Sequence, residues 1–206
     1  MFQNALRIAV GLALFRGGPA DMPFSLPLTR AALVLAVVCT ASLMALVTPL
    51  PLALATGVGG VAGVAFFTWQ LLRGRKLDSR LLQTLTAQLL VGSLFALAMW
   101  PAMAALAPTM EEMMTLMRAA TEAAPSAQGG AVSPVQLAEG LKTKPPTWAA
   151  LWSDVVFVWS LAASTRINRL AADLGTPASW LMTLLSLFVL TGFVVMAQVV
   201  VAIVLF

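Results

Sequence analysis

Asp154 is the one carboxylate set inside an apolar run of this chain, between Trp148 and Thr165. An ionised acid in hydrocarbon is costly, so it marks either a proton or cation site or an anchor that reaches water. Asp154 lies about two turns from Trp148, near enough to the outer interface to be wetted, which favours the anchor. Two amides, Gln88 and Gln198, also stand in apolar runs. Each can line a polar path or join helices by hydrogen bonds, and joining is the expectation. A third pattern is Met110, Met113, Met114 and Met117, at i, i+3, i+4 and i+7. Thioethers suit Cu(I). The same spacing describes an amphipathic helix resting a methionine face on the membrane or a neighbour, with Glu111, Glu112 and Arg118 on its other faces. No histidine or cysteine strengthens the site, so the helix is the expectation and no cofactor is implied.

Enzyme chemistry finds little to work with. The chain has no histidine, no tyrosine and one cysteine, which leaves haem, histidine–zinc and serine–histidine centres without their usual groups. Cys39 sits in an apolar run as a small hydrophobe and forms no internal disulfide. Asp21, Asp78, Glu111, Glu112, Glu122, Glu139 and Asp173 lie in loops on both sides, so no paired acids face a common cavity. No lysine is placed near a membrane serine. The expectation is a protein that is not an enzyme.

The elements that carry these residues follow from composition. Of 206 residues, 60% are hydrophobic and 10% charged, against about 25% charged in a soluble domain. So much apolar surface calls for lipid as solvent. The reading is an all-α, polytopic membrane helix bundle: five transmembrane helices plus an N-terminal interfacial helix, in a single membrane domain over 1–206. The interfacial helix covers 2–16, too short in its apolar core to span, and Gly17, Gly18 and Pro19 end it. The spans fall at about 26–47, 52–72, 81–107, 148–165 and 178–206. Ser25 caps the first, with Pro27 in its first turn. The second contains Ala55, Gly59 and Gly63 at i, i+4 and i+8, a small-residue stripe that lets another helix approach closely. Pro101 kinks the end of the third. Residues 108–147 form an extracytoplasmic loop with short helices: Thr109 and Glu112 make a capping box opening one to about Ala120, and Ser133 opens another that Gly140 closes. Trp152 and Trp159 share a face of the fourth span. That face is expected to meet lipid or a partner, with Asp154 turned largely away from it.

Charge sets the orientation. Arg73, Arg75, Lys76 and Arg80 form a basic loop between the second and third spans, and Arg166 and Arg169 end the fourth. With Arg7, Arg16 and Arg30 these put nine of the twelve cations on one side, against Arg118, Lys142 and Lys144 on the other. Basic loops stay cytoplasmic, so the N-terminus is inside and the C-terminus outside. This placement also accounts for the net charge of +4 without a nucleic-acid partner.

The segment Arg16-Gly17-Gly18-Pro19-Ala20-Asp21-Met22-Pro23, and Val158-Trp159-Ser160-Leu161 followed by Arg166-Ile167-Asn168-Arg169, resemble parts of uncharacterised proteobacterial inner-membrane proteins. The five-span layout is similar to that of the Yip-like (Ypt-interacting protein) family. The resemblance implies a bacterial inner-membrane location and a non-enzymatic role, and it assigns no functional residues. The expected role is a scaffold, assembly factor or accessory subunit, with the bilayer and a membrane-protein partner or homo-oligomer as surroundings. The alternative is a small transporter or channel component for a cation or small solute, using Asp154, Gln88 and Gln198, or copper on the methionines.

Overall fold

The computed structural model describes residues 2–123 and 144–205, and every regular element among them is helical. The α-helices are α1 (Phe2–Ala13), α2 (Leu26–Met44), α3 (Leu50–Gly74), α4 (Leu81–Ala123), α5 (Thr147–Ala171) and α6 (Thr176–Leu205). Four of them, α2, α3, α4 and α6, are long and apolar enough to cross a membrane. The fifth, α5, has 25 residues but carries Asp154, Arg166 and Arg169 and falls outside that group.

Local chemistry explains the boundaries. The Ser25 side chain accepts from the Leu28 amide, and Pro27 occupies the first turn of α2, where no helical N–H is needed. Pro51 does the same for α3, which starts at Leu50, two residues before the expected 52. The third expected span departs most. It does not stop at Ala107: α4 runs unbroken through Pro101 and Pro108 for 43 residues. The capping box at Thr109 and Glu112 is not formed as such, because Thr109 is buried in mid-helix and its hydroxyl has no partner. Alanine, leucine and methionine on both sides of Pro108 are strong helix formers, and one proline removes only one backbone bond. The short helix expected after Ser133 lies outside the described residues.

Helix α2 packs between α3 and α4, α3 runs along α6, and α4 runs along α5. The core gathers Leu28, Ala32, Ala36, Leu85, Leu89, Leu90, Val91 and Ile167. Helix α1 adds Ala5, Ala9 and Leu12 to that core, all fully buried, and packs chiefly on α4 and also on α5. Its small residues thus face protein, while Phe2, Leu6, Val10 and Leu14 are exposed. Trp159 Nε1 donates to the Ala13 carbonyl at 2.7 Å. That contact lies about 18 Å along α5 from its Ala171 end at 1.5 Å per residue. The chain then returns beside Gly17, whose carbonyl accepts from Arg166, to Ala20 and Met22, whose carbonyls accept from Gln83 Nε2 at 3.1 and 2.8 Å. These donors satisfy irregular backbone that would otherwise be stranded against apolar helices.

The basic loop does more than carry charge. Arg75 donates to the carbonyls of Ala172 and Asp173, both at 3.1 Å, and Arg80 donates to Ala171 at 3.2 Å. Two guanidiniums therefore close the C-terminus of α5, where unpaired carbonyls and the negative end of the helix dipole favour cations. Arg80 also pairs with Asp173 at 3.0 Å, with the two side chains 39% and 61% exposed. Water and salt screen such a pair, so Asp173→Asn should cost at most about 0.5 kcal/mol. Arg75→Ala removes two carbonyl bonds and should cost about 1 kcal/mol or more. Thermal unfolding of both variants in micelles checks the ranking; a larger loss in Asp173→Asn would contradict it.

Candidate functional site

A lone amide in an apolar helix must find a partner, and Gln88 finds two. Its Oε1 lies against the Thr68 hydroxyl of α3, and its Nε2 donates to Asn168 Oδ1 of α5 at 2.9 Å. Asn168 Nδ2 donates in turn to Thr183 Oγ1 of α6 at 3.0 Å, and Thr183 donates to the Ser179 carbonyl at 2.9 Å. One line of uncharged side chains thus ties α3, α4, α5 and α6 together. Thr68, Asn168 and Thr183 are each no more than 1% exposed. A second link, Thr29 to Thr86 at 2.7 Å, joins α2 to α4. Low dielectric strengthens such bonds and raises the cost of leaving any of them unmade.

The relay lies beside a cavity of about 260 Å³ between α3, α4, α5 and α6. Gln88, Asn168, Thr183, Ser160, Ser164 and Ser186 supply its polar lining, and the rest includes Phe67, Phe95, Phe157 and Leu190. No acidic or basic residue lines it.

The other residues singled out in the sequence are dispersed. Gln198 Nε2 donates to Thr56 Oγ1 at 2.9 Å, joining α6 to α3 far along the chain from the relay. Asp154 is exposed, beside a shallow depression that Phe15, Val155, Val158 and Trp159 also line. Asp154, Gln88 and Gln198 therefore do not converge on one path. On the tryptophan face of α5, Trp152 Nε1 donates to the Ala98 carbonyl of α4 and Trp159 Nε1 to the Ala13 carbonyl of α1, both at 2.7 Å, while the two residues stay 44% and 37% exposed. An indole N–H among apolar groups needs an acceptor, and these helices provide it. Met110, Met113, Met114 and Met117 sit exposed on the far part of α4. Among the described residues, no three His, Cys, Asp or Glu side chains group as metal ligands.

Ala55, Gly59 and Gly63 face α6. A Cβ at Gly59 would come within 2.8 Å of the Phe193 carbonyl oxygen, and one at Gly63 within 2.9 Å of Leu190 Cα. Their close approach is thus made inside the chain. Gly57, on another face of α3, meets α2 in the same way, 2.8 Å from the Val37 carbonyl oxygen. Reading only the i, i+4, i+8 stripe overlooks it. Asn168 is overlooked too, because it stands in Arg166-Ile167-Asn168-Arg169, where the arginines read as a topology signal. Of the cations taken to set topology, Arg75 and Arg80 hold the end of α5, Arg73 lies over the Trp69 ring at 5.0 Å, and Lys76 is exposed at a positive φ of 58°. Arg166 reaches Gly17 and Arg169 reaches Thr176. Searches against protein-family models, curated proteins and solved structures give no match to this chain.

Proposed function

We propose that this chain is a non-enzymatic integral membrane protein that serves as a scaffold, assembly factor or accessory subunit of a bacterial inner-membrane complex. Five helices span in this reading, α5 included, with the N-terminus cytoplasmic and the C-terminus outside, in the Yip-like layout. Helix α1 is the interfacial helix on the cytoplasmic side, its small-residue face and last carbonyl engaged by α4 and α5 and its apolar Phe2, Leu6 and Val10 left exposed. The observation that carries the reading is the use made of polar side chains within the helices. Gln88, Asn168, Thr183, Thr29, Thr86 and Gln198 bind helix to helix, and no carboxylate joins them. Such an interior supports packing and offers no charged step for a cation.

Surface supports a partner. Over an 18-residue window of α6 the mean hydropathy is 2.7, and no residue of that window is buried. Phe188, Ile203 and Val204 are each exposed by more than 70%. Native mass spectrometry of the protein, gently extracted from its own membranes, tests the role. A stoichiometric second protein, or a defined homo-oligomer, is the expected result, and a strictly monomeric chain would count against it. Asp154→Asn should leave that assembly unchanged, because the carboxylate is exposed and outside the relay. Loss of a cation flux in the reconstituted Asp154→Asn protein would favour the transporter reading instead.

A further inference from the structure

The cavity beside the relay has donors that helix packing does not use. A primary amide carries two N–H groups. Gln88 uses one on Asn168, and Asn168 uses one on Thr183. The second N–H of each has no partner among the described residues. Asn168 is 1% exposed, so bulk water does not serve it, and a buried donor left unmade costs about 1–3 kcal/mol. Ser164, one turn before Asn168 on α5, also lines the cavity, and its hydroxyl has no partner among the described residues. Ser160 and Ser186 already donate to the carbonyls of Phe157 and Thr183. Three free donors therefore border one cavity with largely apolar walls, and half-exposed Phe157 brings it to the surface of the bundle.

The geometry points to a binding site for an uncharged amphiphile. A carbonyl or hydroxyl oxygen accepts from Gln88, Asn168 and Ser164, and an apolar body lies against Phe95, Phe157 and Leu190. A charged head is disfavoured, because no opposite charge lines the cavity to offset its desolvation. The cavity is small, about 260 Å³, below the usual range for drug-sized ligands, so one head and the first part of a chain fill it. Two membrane components share this chemistry: the ester and hydroxyl oxygens of a glyceride, and the ring carbonyl of a quinone. The site does not depend on whether a protein partner exists.

Thermal unfolding of the full chain in detergent micelles, with dioctanoylglycerol or a decyl-substituted benzoquinone added, tests the site. A ligand that binds only the folded state raises the midpoint with concentration. Gly92→Leu is the decisive variant. Gly92 lines the cavity at the exposed surface of α4, and a Cβ there meets nothing within 4 Å, so the backbone accepts a side chain at the cavity's edge, where leucine is meant to obstruct it. It should weaken the response at least about tenfold. Ser164→Ala removes one donor outside the relay and should weaken it about three- to tenfold. Stabilisation by one probe identifies the source, and stabilisation by both assigns the shared chemistry. No response to either probe in the native chain, or an undiminished response in Gly92→Leu and Ser164→Ala, would overturn the inference.

Discussion

Gly59→Leu is expected to prevent α3 and α6 from closing, and Gly63→Leu to do nearly the same. At Gly59 even a Cβ meets the Phe193 carbonyl oxygen at 2.8 Å, with Ala197 Cβ and Val194 Cα both at 3.0 Å. Two of those three atoms are backbone, so no side-chain rotation relieves the clash and the helices must part. Overpacking of a tight interface usually costs about 1–3 kcal/mol, and leucine against backbone belongs at or beyond the top of that range. The neighbouring residue supplies the control. A Cβ at Gly60 meets only Val194 Cγ2, at 3.9 Å. Gly60→Ala should therefore be neutral, or gain up to about 1 kcal/mol from helix propensity. Unfolding midpoints of Gly59→Ala, Gly59→Leu and Gly60→Ala in micelles should fall in the order Gly60→Ala, then Gly59→Ala, then Gly59→Leu. Equal behaviour of Gly59 and Gly60 would mean that α6 does not pack on this face. Because the stripe is occupied within the chain, any loss of partner binding in these variants must be read together with their stability.

Asn168→Leu is the second large effect. Leucine has as many side-chain heavy atoms as asparagine, branched at the same carbon, but offers neither oxygen nor N–H, so Gln88 Nε2 and the Thr183 hydroxyl each lose a partner. Two buried groups left short should cost about 2–3 kcal/mol together. That exceeds the average interhelical hydrogen bond in membrane proteins, about 0.6 kcal/mol, because one residue serves two bonds here. The sharper statement concerns the pair. Gln88→Leu with Asn168→Leu removes the orphaned amide along with its acceptor, so the double variant should cost less than the sum of the singles. Additive losses in a double-mutant cycle would show that the two amides act independently and that the relay is not a unit.

How much of this was legible depended on whether each residue had one plausible use. Gln88 was readable as glue because an amide surrounded by leucine has no local partner. Thr68 and Thr183 were not, since a hydroxyl on a helix can satisfy itself on a preceding carbonyl: Thr183 does so at Ser179, and Val64 competes with Gln88 for the one Thr68 proton. Asn168 was masked by the arginines on either side of it. Spacing pointed to the Gly59 and Gly63 stripe, but the identity of the helix that fills it is a tertiary fact. Pro108 followed by Thr109 and Glu112 presented a stop and a start in the right order, and the helix passes through both. Propensity summed over the flanking residues outweighed those local signals. For Trp152 and Trp159 the shared helix face was legible, but not the acceptors that their indole N–H groups reach, the Ala98 carbonyl of α4 and the Ala13 carbonyl of α1.

A helix of 43 residues measures about 65 Å, roughly twice the thickness of a hydrocarbon core. In a bilayer α4 is therefore a mast as much as a span. Near one end Gln88 ties it to three other helices, and its far part carries exposed Met110, Met113, Met114 and Met117. With the backbone ladder nearly continuous between them, a small tilt at the clamp becomes a displacement several times larger at the tip. Pro101 and Pro108, each lacking one backbone hydrogen bond, are the compliant points along the shaft between Gln88 and the methionines.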